Sequence, residues 1–154
     1  MKHSRGFTLL EMMIVVAIIA IIATLATPSM RAFIQRGQVS EQMNDFAHFL
    51  QESRGKAVLL RNNSYPATIG TAVSGGQTAT ISDTGSSWSP NADRVTLTAG
   101  AGMVNTITYT LMGEAGQEVC YIMTHANNPT IGEVLILDRN GSTKIHKNKT
   151  DCIF

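Results

Sequence analysis

From Met12 to Met30 the chain carries no charged residue, and Phe7 to Leu25 holds eleven Phe, Leu, Ile or Val residues. At about −0.3 to −0.6 kcal/mol each, those side chains favour insertion into a bilayer by roughly 3–7 kcal/mol. The length suits a membrane-spanning helix. A second pattern follows from Ser29 to Arg61. Val39, Met43, Phe46, Leu50 and Ala57 recur at spacings of three, four and seven, with Ala47 and Val58 beside them. Glu41, Asp45, Glu52 and Arg54 take the other faces, as on an amphipathic helix whose apolar stripe is ordinary core. Asn62-Asn63-Ser64 is a stop signal. Pro28 lacks a backbone donor and clashes with the preceding turn, so a kink is expected where the two helical halves join.

Beyond Arg61 the periodicity shortens. Ala67–Val73, Thr78–Ser82, Arg94–Ala99, Asn105–Leu111, Glu118–Thr124 and Val134–Asp138 read as strands, most of them separated by Gly or Asn clusters. Asn140-Gly141 is a turn signal, and Ser142–His146 can return as a last strand. The expected class is α+β, one long N-terminal helix lying on a mainly antiparallel sheet. Trp88, alone in a polar stretch, suits a plug beneath its loop; the other reading is a contact with a neighbouring subunit.

The formal net charge of +1 points to neither a nucleic-acid protein nor a binder of acidic substrates. Lys2 and Arg5 precede the apolar run and predict a cytoplasmic N-terminus with the rest of the chain outside. They are two of twelve basic residues, so removal of the first six residues leaves ten against eleven acidic ones. Cys120 and Cys152 make no metal-ligand spacing. In a reducing compartment they would be unpaired core thiols; in an exported chain one disulfide is expected. His48, His125 and His146 have no evident nucleophile, acidic partner or metal spacing, so no enzyme, cofactor or metal site is expected. Asp138-x-Asn140-Gly141 lacks the later ligands of a calcium loop, and a β-turn explains it.

Glu11 decides between readings of the apolar run. A secretory signal peptide has a basic start and an apolar core. Such cores rarely open on a glutamate, and no clean A-x-A site follows. A generic anchor leaves Glu11 unexplained, although an ionisable residue in an apolar span is a functional-site hypothesis whose partner must be named. Gly6-Phe7-Thr8-Leu9-Leu10-Glu11 resembles the class III signal sequence of type IV prepilins and type II secretion pseudopilins. The resemblance covers about the first thirty residues. It implies cleavage by prepilin peptidase between Gly6 and Phe7, N-methylation of Phe7, and a role for Glu11 in filament assembly. The new ammonium at Phe7 would lie one helical turn from Glu11. Two charges costly in lipid would then neutralise one another. A proline at the position of Pro28 is common in the family. The implied organisation is a leader at 1–6, a transmembrane and filament-core helix at 7–30, its amphipathic continuation at 31–61, and a β-rich part of one periplasmic domain at 62–154.

Short length, an early β-region and the ending Leu135-Ile136-Leu137-Asp138-Arg139-Asn140-Gly141-Ser142-Thr143-Lys144 are similar to the group of FimT and FimU minor pilins and the H-type minor pseudopilin. The resemblance implies a minor pilin taking part in pilus assembly or initiation, near the tip. Its partners would be other pilin subunits, prepilin peptidase, the inner-membrane assembly platform and the inner membrane. It would start as a single-pass inner-membrane protein and pass into an extracellular fimbrium. The alternatives are a major pilin, some of which are of similar length with a C-terminal disulfide loop, an H-type minor pseudopilin of type II secretion, and a DNA-uptake receptor for natural transformation. Some FimT-type pilins bind DNA through an ending like Gly-Arg-x-Arg; the corresponding residues are Gly141-Ser142-Thr143-Lys144. Double-stranded DNA as a partner would rest on Arg139, Lys144, Lys147 and Lys149, neutralising phosphates in a salt-sensitive way. On a strand Lys144 and His146 share one face and Lys147 and Lys149 the other, so the four cations form no single stripe unless the tail loops. A solvated basic tail is the plainer reading.

Overall fold

The computed structural model describes residues 7–61, 65–71, 77–81, 87–88, 90–100 and 106–152, leaving aside the side chains of residues 25–28, 68–71, 77–81, 87, 99 and 106. One helix, α1, runs Leu9–Leu59. Eight strands follow: β1 (Tyr65–Thr71), β2 (Gln77–Ile81), β3 (Ser87–Trp88), β4 (Val95–Ala99), β5 (Thr106–Tyr109), β6 (Val119–His125), β7 (Asn128–Leu137) and β8 (Thr143–Lys147). By packing the chain divides into two units, Met1–Ile34 and Gln35–Phe154.

The first unit is a helix whose side chains from Phe7 to Thr24 are all exposed. Leu9 is 79% exposed and Phe7 74%. A helix that is apolar all round needs lipid or other helices to cover it. The Thr24 hydroxyl donates to the Ile21 carbonyl at 2.7 Å, so this polar group is satisfied within the helix. Among the described residues no single helix is long and apolar enough to cross a membrane, but Leu9–Thr24 taken with Ser29–Leu59 qualifies by length and composition. The expected kink at Pro28 lies outside the described side chains, and Gly6 and the stop signal at Asn62–Ser64 lie outside the described residues.

In the second unit the remainder of α1 lies on two antiparallel sheets, ordered β3-β2-β1-β5 and β4-β6-β7-β8. The periodicity of the sequence predicts strands but points to one sheet. Which strands pair is settled by contacts far apart in the chain, which local periodicity does not carry. The apolar stripe is where the spacing put it. Val39, Met43, Phe46, Leu50 and Ala57 are fully buried, together with Tyr65, Tyr109, Tyr121, Leu135 and Leu137 from the sheets. Ser53 interrupts the stripe at no cost, because its hydroxyl donates to the Phe49 carbonyl at 2.9 Å. Trp88 is half-buried and packs on Phe46, ring centroids 5.0 Å apart, as a plug does. β3 itself is too short to show as a pattern. β7 begins six residues before the expected run, paired from Asn128 to His125 across a bulge.

Alternation along β7 gives it two covered faces. Leu135 and Leu137 enter the main core. Val134 and Ile136 point the other way, into a second cluster with Cys120. The Cys120–Cys152 disulfide is formed, with Cα atoms 6.2 Å apart.

α1 ends by its own geometry. Leu60 N–H still donates to the Lys56 carbonyl at 2.9 Å, and Arg61 then turns left-handed at φ 48°. A left-handed residue just past the last turn is a common helix terminator.

Candidate functional site

Two regions carry the candidate residues. At the start of α1, Thr8 is the cap. Its Oγ1 accepts from the Glu11 N–H at 3.2 Å, and its carbonyl accepts the Met12 N–H at 3.2 Å. Thr8-x-x-Glu11 therefore has the spacing of a capping box, and Glu11 is the acidic residue of the first turn. Negative charge is favoured there by the helix dipole. The local fold alone thus supports a carboxylate at this position.

The second region is the β7–β8 hairpin and the tail. Gly141 N–H donates to the Asp138 carbonyl at 2.9 Å, and Asp138 N–H to the Ser142 carbonyl at 2.9 Å. Gly141 alone in this turn has positive φ, 77°. The expected Asn140-Gly141 turn is therefore a turn over Asp138–Gly141 closed by a left-handed glycine, not a two-residue hairpin loop. Asn140 Oδ1 accepts from the Ser142 N–H at 3.3 Å and lies 3.0 Å from its hydroxyl, so a side-chain oxygen spaced as in a calcium loop serves to hold the turn.

Lys144 Nζ lies 2.9 Å from Asp138 Oδ2. Hydrogen bonds from Lys144 and then Ser142 hold the Asp138 carboxyl below its usual range; the same Asp138 contact raises the Lys144 ammonium. Of the four candidate cations Lys144 is thus neutralised locally. Lys147 lies on the opposite face of β8, across from Glu133 on β7. Lys149 follows Asn148, where the chain turns left-handed at φ 56°. Arg139 is exposed in the hairpin turn. The fold does not gather the four into one stripe.

Several polar positions had no signal in the sequence. Arg54, on α1, donates from Nε to the Gly113 carbonyl at 2.9 Å. A Cβ built on Gly141 would collide with that same Gly113 carbonyl and come within 2.9 Å of Arg54 Nε. Gly141 is therefore required by packing, whatever else its place in the ending implies. Glu133 is buried facing α1; burial raises its carboxyl pKa, and the Ser40 hydrogen bond and the Lys147 charge oppose this less strongly. His125 is buried, its Nε2 3.1 Å from Gln38 Oε1 and its Nδ1 accepting from the Asn127 N–H at 3.2 Å. That pattern makes Nε2 the protonated nitrogen. His48 and His146 are exposed. Among the described residues no three His, Cys, Asp or Glu side chains are grouped to hold a metal ion.

Residues 1–27 match the prokaryotic N-terminal methylation motif. Two crystal structures of the type IV minor pilin FimU from Pseudomonas aeruginosa (strain PAO1) are similar in fold. One has a TM-score of 0.59 at 18% identity, covering 79% of this chain and 99% of that one. The other has a TM-score of 0.54 at 17% identity, covering 74% and 99%. No curated protein matches the chain by sequence. The chain carries a prepilin-type N-terminal motif and has the type IV pilin fold, a long helix packed on antiparallel sheets.

Proposed function

We propose that this chain is a minor type IV pilin of the FimT/FimU group that takes part in assembling or initiating a pilus, near its tip. In this reading residues 1–6 are a leader, prepilin peptidase cuts between Gly6 and Phe7, and Phe7 is N-methylated. The helix over 7–30 first anchors the chain in the inner membrane, with a cytoplasmic N-terminus. An inner-membrane assembly platform then moves it into the filament, where other pilin subunits replace the lipid. Residues 31–61 and 62–154 form the periplasmic and later extracellular part, and Pro28 bends the join.

The observation that carries this reading is an uncovered apolar helix that opens on the Thr8-capped Glu11, within the methylation motif. Glu11 sits where it can meet an ammonium in a low-dielectric setting, its own or a neighbour's, and set the subunit's register. The direct test is subunit incorporation. Glu11→Ala is expected to leave the chain stable in the membrane but at least about tenfold depleted from sheared filaments, as the loss of one partner of a buried ion pair would require. Incorporation at the normal level would remove Glu11 from the account.

A second reading, capture of double-stranded DNA, is supported by Arg139, Lys147 and Lys149, which are exposed on the hairpin and tail. It is weakened by the Lys144–Asp138 pair. An H-type pseudopilin of a type II secretion system would share the same processing and fold. The genes beside this one, and secretion assayed after its deletion, separate the two.

A further inference from the structure

The fold continues past its last strand. Asn148 turns the chain with φ 56°, and residues 149–152 then cross the outer face of the β4-β6-β7-β8 sheet. Two glycines set the route. A Cβ on Gly132 would lie 2.8 Å from Thr150 Cγ2 and 3.1 Å from the Lys149 carbonyl. A Cβ on Gly100 would collide with Cys152 Sγ. Beneath the crossing lies the second apolar cluster, Cys120, Val134 and Ile136, flanked by Ile122 and Cys152. Val134 is 1% exposed and Ile136 6%.

Little besides the disulfide keeps this segment in place. Residues 148–151 are exposed. Ladder pairing with β7 ends at Lys147. Beyond the turn at Asn148, Thr150 to Cys152 take part in no hydrogen bond among the described residues. A short exposed segment without hydrogen bonds belongs to the least stable part of a fold and opens locally unless a covalent link prevents it.

We propose that residues 148–152 are a redox-gated strap, clasped by Cys120–Cys152, whose release uncovers the outer apolar face of the sheet while the rest of the domain stays folded. Opening takes two electrons and two protons from a dithiol reductant. The S–S bond breaks, Cys120 and Cys152 become thiols, and the reductant leaves as its own disulfide. Closing is the reverse, with an oxidised disulfide carrier accepting the electrons. The main core lies on the other face of β7 and keeps α1 and both sheets together without the strap. The strap depends on the tail alone and not on the proposed role in a pilus.

The test uses the full chain in detergent micelles, oxidised and after treatment with dithiothreitol, with the Cys120→Ser/Cys152→Ser variant beside it. Trypsin cleavage after Lys149 is followed against cleavage after Arg94, which precedes β4 in the body of the domain. Cleavage reads the population of the open form when opening is fast, so the reduced chain is expected to be cut after Lys149 at least about tenfold faster, with Arg94 unchanged. The double variant should match the reduced chain; if it does not fold, reduction of the folded wild type gives the reading by itself. Equal rates after Lys149 in both redox states would overturn the strap. So would an equal acceleration at Lys149 and Arg94, because reduction would then be loosening the whole domain.

Discussion

Gly141 sits where three parts of the domain converge: the β7–β8 turn, the Gly113 carbonyl and the Arg54 side chain from α1. Its φ of 77° and the absence of room for a Cβ are separate demands, and both favour glycine. Gly141→Ala is therefore expected to destabilise the domain by about 2 kcal/mol or more, read from the denaturation midpoint. A midpoint at the wild-type value would contradict the placement of that turn. Glu133 makes a prediction of opposite character. Its carboxyl holds a proton more firmly folded than unfolded, because burial opposes its charge. Its contribution is thus fully favourable below the ordinary carboxylate value and is lost as pH rises from there through the raised folded value. Glu133→Gln should remove this dependence, so the variant gains on the wild type as pH rises through that window. Asp138 acts in the reverse sense: held low by Lys144, it stabilises above the ordinary carboxylate value and loses that effect as pH falls. Neither Glu133 nor Arg54 was legible in the sequence, since a charged residue beside a strand or on a helix ordinarily faces water.

At the scale of elements, the lower half of α1 was the most legible feature. Val39, Met43, Phe46, Leu50 and Ala57 are buried as their spacing requires, because helical periodicity is a local property. Phe46 meets Trp88 on one side and Tyr121 edge-on at 5.1 Å on the other. Phe46→Ala should cost about 3–5 kcal/mol and move the Trp88 fluorescence towards that of exposed indole. An unchanged emission would mean that Trp88 does not plug this core. The strands were legible as runs, and their division into two sheets was not, because Tyr65 pairs with Tyr109 and Val95 with His125 across long stretches of chain. The disulfide was expected only if the chain is exported, and the fold supplies the geometry.

The whole molecule joins two surfaces with different needs. One is a helix apolar on every side from Phe7 to Thr24; the other is a domain whose core is closed by its own sheets. A helix of this kind needs lipid or other helices to cover it, which is what the proposed pilin role would supply. The basic ending was the least legible part. Gly141 matched for reasons of packing, and the partner of Lys144 turned out to be Asp138, six residues away and invisible as a pair in the pattern. If DNA capture is real, it should run through Arg139, Lys147 and Lys149, so Lys147→Ala with Lys149→Ala should weaken binding and lower its salt slope by about two. A slope unaffected by that pair would remove the tail from the reading. The central claim, however, concerns the other end of the chain. Mass spectrometry of this subunit recovered from sheared surface filaments tests it most directly. The account predicts a chain that begins at N-methylated Phe7 and contains an intact Cys120–Cys152 disulfide; a chain that keeps residues 1–6, or one that never leaves the membrane fraction, would contradict it.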